Sequence, residues 1–153
     1  MGETFTDNQR WRIAMGKTNW KRVFLGGVVT GIVIIILGFA SFVLLRDLYN
    51  LTLEALEHPD SFTAGMYIMG IVSSLIFGIL IVWLYSAIRP RLGAGPKTAL
   101  IAGLFIWVIG SLFPSISLGS MGFLPANFLM IDVLTNLVIY VVATMVGAWI
   151  YKE

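Results

Sequence analysis

Four stretches of the chain are apolar without a break for long enough to cross a bilayer: residues 23–45, 62–88, 98–118 and 126–151. A crossing helix needs about 20 such residues at 1.5 Å of rise each. The runs are continuous, whereas a barrel strand alternates apolar and polar positions over about ten residues, so the pattern predicts helices. The expected fold is all-α, a transmembrane four-helix bundle. The first run exceeds the h-region of a signal peptide, and no small-x-small cleavage site follows it before Arg46, so it is expected to be retained.

Between the first two spans the pattern changes. In "RDLYNLTLEALEHPD", Asp47, Asn50, Glu54 and Glu57 recur on one helical face, and Leu48, Leu51 and Ala55 fall on the other. This predicts a short amphipathic outer-loop helix ending before Pro59. Ahead of the first span, residues 1–22 read as a basic, interfacial segment, with Trp11, Ala14 and Met15 on its apolar side and a capping-box spacing at Thr6 and Gln9. The four-span domain then occupies residues 23–153.

Charge adds the expected orientation. Of the 10 Lys and Arg residues, all but Arg46 flank the first span, lie between the second and third, or follow the fourth. The positive-inside rule places both termini in the cytoplasm, where Trp11, Trp20, Trp83, Tyr85, Trp149 and Tyr151 mark the same boundary. Lys21, Arg22, Arg89, Arg91 and Lys97 are then at the level of anionic headgroups, and membrane lipids are the first expected partner. A composition of 58% hydrophobic and 12% charged residues, with mean hydropathy +0.91, fits an integral membrane protein of one domain. There is no cysteine, hence no disulfide or thiolate site.

Small residues recur every four positions: Gly27 and Gly31 in the first span, Gly70, Ser74 and Gly78 in the second, Ala143 and Gly147 in the fourth. In lipid, such faces let helices approach closely, and they are read as helix contacts. Similar span ends, "VWLYSAIR" and "AWIYKE", hint at a duplicated hairpin, although boundary chemistry alone produces the same likeness.

The segments "TNWKRVFLGG", "WLYSAIRPRLGAGPKTALIAG" and "GAWIYKE" together resemble a group of small four-helix bacterial integral membrane proteins with no activity attached. The resemblance covers residues 19–153 and leaves residues 1–18 ahead of the group's usual start. It implies the four-span fold and a bacterial cytoplasmic (inner) membrane, and it brings no catalytic residue or cofactor.

Several chemistries are weighed and set aside. Gly95, Lys97 and Thr98 echo a phosphate loop, but the glycine spacing and the preceding strand are missing, and Pro96 reads better as the first residue of a helix. His58 is the single histidine, so no span offers an imidazole; Met66, Met69, Met121 and Met130 could hold Cu(I) but read as packing. Asn50-Leu51-Thr52 is a glycosylation triplet without a fitting source. No catalytic set, metal site, cofactor or nucleic-acid partner is expected.

One residue stands out. Asp132 lies inside an otherwise uncharged span, with Asn136 one turn deeper on the same face and Thr135 beside it. A carboxylate facing lipid costs several kcal/mol, so Asp132 is expected to pair with Arg46, to bond hydroxyls such as Ser41, Ser111 or Ser115, or to mark an ion route. The first two are favoured, because a route usually uses more than one ionisable group. The function expected from sequence is a non-enzymatic structural or accessory subunit, associating laterally with other integral membrane subunits or with itself. The alternative is a small homo-oligomeric transporter or channel using Asp132 and Asn136, with Pro114 supplying a kink.

Overall fold

The structure is a computed structural model that describes residues 18–55 and 63–151. The expected amino-terminal helix with Trp11 and Met15, and the positions assigned to Glu57, His58 and Lys152, lie outside the described residues. Helix α1 spans Trp20–Leu44, α2 Arg46–Ala55, α3 Ala64–Leu92, α4 Pro96–Trp107, α5 Phe113–Ser120 and α6 Ala126–Ile150, with a π-helical turn, Val108–Leu112, joining α4 to α5. Four of the resulting rods are long and apolar enough to cross a membrane: α1, α3, the continuous Pro96–Ser120 unit and α6. The chain is a multi-pass, all-α membrane protein.

Local chemistry explains the boundaries. Asn19 caps α1, its side-chain oxygen accepting from the Arg22 amide at 3.3 Å. Pro96 opens α4 at a position where a missing N–H costs nothing, after Gly93 and Gly95 turn the chain at φ 85° and 143°. The second span departs from expectation. The apolar run alone places it at residues 62–88 with Arg89 and Arg91 in a loop, yet α3 runs through Pro90 to Leu92 and carries both arginines on its last turn. A proline this near a helix end removes only one bond, and the cations are favourable at the C-terminus.

In the third span Pro114 does not end the helix. Without an N–H it cannot bond the Gly110 carbonyl, and the ladder widens there, with the Phe113 amide bonding the Val108 carbonyl five residues back.

Packing is closest between α1 and α3. A Cβ on Gly27 would stand 2.5 Å from the Ile79 Cα, one on Gly31 would stand 2.7 Å from the Leu75 Cα, and one on Gly78 would collide with Gly27 and Gly31 backbone. The space at Gly147 of α6 is taken by the Thr30 and Val82 side chains, and Ala143 is fully buried. Buried Thr30 and Thr144 return their hydroxyls to Gly26 and Tyr140 carbonyls of their own helices, so neither hydroxyl is left unpaired at the contact.

Gly70 behaves differently from the other expected packing glycines. It and Gly38 have nothing within 4 Å of a would-be Cβ. Helices α1 and α3 are therefore pressed together over Gly27, Gly31 and Gly78 and stand apart beyond Gly38 and Gly70.

The ends of the rods fall into two faces. On the basic face, the Asn19 amide donates to the Tyr151 hydroxyl at 3.3 Å, the Gly95 amide approaches the Tyr85 hydroxyl at 3.4 Å, and the Tyr85 and Tyr151 rings meet edge to face. The opposite, distal face carries α2. Its Asp47, Asn50 and Glu54 are exposed as expected, but the inward side is Leu48, Tyr49 and buried Thr52, whereas Leu51 is exposed. The inward side is set by Tyr49, which packs between Phe42 of α1 and Phe128 of α6, with centroids 5.3 Å and 5.2 Å away.

Candidate functional site

Helix α6 presents a line of residues four apart, in which Phe128, Asp132, Asn136 and Tyr140 follow one another from the distal face inward. Asn136 Nδ2 donates to Asp132 Oδ2 at 2.9 Å. Tyr140 stacks on Phe77 of α3 with centroids 6.2 Å apart and planes at 23°. Gly110, inside the π-helical turn, allows this pair: a Cβ there would stand 3.0 Å from the Phe77 ring and 3.8 Å from the Tyr140 hydroxyl. One residue from Asp132, the Val133 carbonyl accepts from Trp107 Nε1 at 2.9 Å, fixing the third span against α6.

The expected partners of Asp132 are not brought together. Among the described residues no ion pair within 4.0 Å joins Asp132 to Arg46 or to any other cation, and no hydroxyl of Ser41, Ser111 or Ser115 bonds it. Arg46 is exposed on α2, and the Ser111 hydroxyl is buried with no hydrogen-bond partner. Arg46 is the first residue of α2, immediately after the break in the helix at Leu45.

Beside Asn136 lies a cleft of about 480 Å³ between α1, α3 and α6, where the first two stand apart. Its walls carry Phe39, Phe42, Tyr67 and Tyr140, with Gly38, Gly70 and Ser74 at the bottom of the gap. No Lys, Arg, Asp or Glu lines it, so Asp132, held by Asn136 one turn toward the distal face, is the nearest acid on that line of α6. Toward the basic side, Ile34 and Ile139 of the cleft wall pack with Ile81 and Ala143, and α1 and α3 meet at Gly27, Gly31 and Gly78.

Tyr49 of α2 packs on Phe42, a residue of the cleft wall. Burial, and after it the nearby Asp132 carboxylate, push its phenol above the ordinary value of 10.0. Sequence reasoning missed Tyr49, Tyr140 and Trp107. Tyr140 was accessible by extending the four-residue spacing one step past Asn136; the other two depend on how helices dock.

The five expected lipid-contacting cations all lie on the basic face. Lys21, Arg22, Arg91 and Lys97 are exposed, while Arg89 is half-buried with its guanidinium 5.7 Å from the centre of the Tyr151 ring. A second cavity of about 340 Å³ opens between Arg89, Gly95, Pro96 and Trp149.

No protein-family model, curated protein or solved structure matches this chain. The resemblance drawn from residues 19–153 therefore acquires no family assignment, and the functional reading rests on geometry.

Proposed function

We propose that the protein is a non-enzymatic membrane carrier whose working group is the Asp132–Asn136 pair, set in a bacterial cytoplasmic membrane with the basic face inward. The observation that carries this reading is a carboxylate inside a span, with no protein cation within 4.0 Å among the described residues, bonded to Asn136, which lines a cleft. Intramembrane acids are rare, face the bundle interior or a cavity, and recur along substrate and ion pathways. The packed basic end favours a carrier over an open pore, since passage requires the helices to move or a second copy to complete the path. The test is reconstitution into liposomes. The wild type should carry a proton- or cation-dependent flux, and Asp132→Asn, which keeps shape and hydrogen bonding, should remain folded and lose it. A flux unchanged in a folded Asp132→Asn protein overturns the reading.

The accessory-subunit reading stands second, and a different observation favours it. Residues 64–73 of α3 are all exposed, and a Cβ added at Gly70 would have nothing within 4 Å among the described residues. A neighbouring span could approach there closely. Extraction in a mild detergent followed by native mass spectrometry separates the readings: a stable complex with a larger membrane chain supports the second, a monomer or homo-oligomer the first.

A further inference from the structure

We infer that the cleft between α1, α3 and α6 takes a hydrophobic organic cation, its charge toward Asp132 and its apolar groups against Phe39, Phe42, Tyr67 and Tyr140. The inference rests on the carrier reading and names the class of solute.

Size is the first argument. The cleft is an open groove whose volume of about 480 Å³ lies within the range of roughly 300–1,000 Å³ found for sites of drug-sized molecules. The space exists because Gly38 and Gly70 face it with no side chain and no neighbour within 4 Å of a would-be Cβ. Larger residues at either position would fill it.

Chemistry of the walls is the second. Four aromatic rings border the cleft, and the face of each carries the negative lobe of a quadrupole that attracts cations. No lysine or arginine lines it, while Asn136 in its wall holds the Asp132 carboxylate at 2.9 Å. An anion would find no charge to compensate it among the lining residues. A bare inorganic cation fits poorly as well, because it must exchange its water shell for several oxygens. The cleft supplies scattered hydroxyls and an amide among aliphatic and aromatic carbon. A cation that carries its own apolar shell needs no such replacement.

Access is the third. Toward the basic face Ile34, Ile81, Ile139 and Ala143 pack together, and the exposed wall residues of the cleft, Phe39 at 64% and Tyr67 at 51%, lie within the apolar spans. A solute arriving sideways from the lipid must itself be lipophilic.

The experiment uses the full-length protein in detergent, titrated by calorimetry with tetraphenylphosphonium and, separately, with tetraphenylborate, an anion of the same shape; protein-free micelles provide the blank for each. The wild type should bind the phosphonium at least about tenfold tighter than the borate, a difference of about 1.4 kcal/mol. Asp132→Asn should bring the two ions close to parity. Gly70→Leu, a change away from every helix contact, should abolish phosphonium binding with Asp132 untouched, so the test survives if Asp132→Asn does not fold. Equal binding of both ions by the wild type, no phosphonium binding, or unaltered binding in Gly70→Leu overturns the inference. Proton or alkali-cation flux without phosphonium binding would leave the carrier reading standing and remove this one. Binding without any flux would do the reverse.

Discussion

Tyr49 meets Phe128 edge to face, with ring centroids 5.2 Å apart and planes at 88°. That contact, with the Phe42 ring on the other side, fastens a surface helix to two membrane spans and places a phenol over the Asp132 region.

The docking of α2 should depend on pH in one direction. Burial raises the Tyr49 pKa above 10.0 on folding, so the docked state favours the neutral phenol. Its contribution is fully present below pH 10 and is lost as pH rises through the higher, docked value. A nitroxide attached to a cysteine at Glu54 should become more mobile only on that alkaline side. Tyr49→Phe should remove the pH dependence; a nitroxide equally mobile at neutral and alkaline pH would contradict the docking.

Asp132 should couple to Asn136 and not to Arg46. In unfolding measured in mixed micelles, the Asp132→Ala, Asn136→Ala cycle should give an interaction of about 0.5–2 kcal/mol, the range of hydrogen bonds between membrane-embedded side chains. The Asp132→Ala, Arg46→Ala cycle should be additive within about 0.5 kcal/mol. Recovery of stability in the second double variant would show a pair that the geometry lacks.

The glycines should separate sharply. Gly78→Ala drives a methyl into Gly27 and Gly31 backbone and should destabilise the bundle by about 1–3 kcal/mol, as overpacking does. Gly70→Ala enters open space and should change stability by no more than about 0.5 kcal/mol. Thermal unfolding of the two variants in one detergent decides it.

Orientation is open to chemical labelling, because the chain has no cysteine of its own. Single cysteines at exposed Leu92 and Glu54 should react from opposite sides of intact cells, Glu54 from outside. Labelling of Leu92 alone from outside would reverse the assignment.

The span count and the short helix were legible in the sequence because both depend on runs and periods of apolar residues, which a chain carries locally. The GxxxG of Gly27 and Gly31 was legible for the same reason, and its counterpart Gly78 is where four-residue spacing placed it. Gly70 shares that spacing but not that contact, since helices that cross touch over only a few turns and spacing does not say which. Arg46 failed as a partner for a related reason: its place near the membrane boundary was readable, but its exposure on α2, after the helix break at Leu45, was not. Pro114 announced a disturbance. Whether the helix would break, kink or widen depended on Trp107 and Gly110 finding Val133, Phe77 and Tyr140 across the bundle.

The close approach of Gly27 and Gly31 to Gly78 also makes α1 and α3 a pair of levers on a short fulcrum. Phe42 stands 11 residues beyond Gly31, about 16 Å along the axis at 1.5 Å per residue, so a swing of about 10° at the fulcrum moves it by roughly 3 Å. The width of the mouth beside Tyr67 is thus set by a small angle at the opposite end of the helices. A single methyl added at Gly31 would act on the distal aromatic rings without touching any of them.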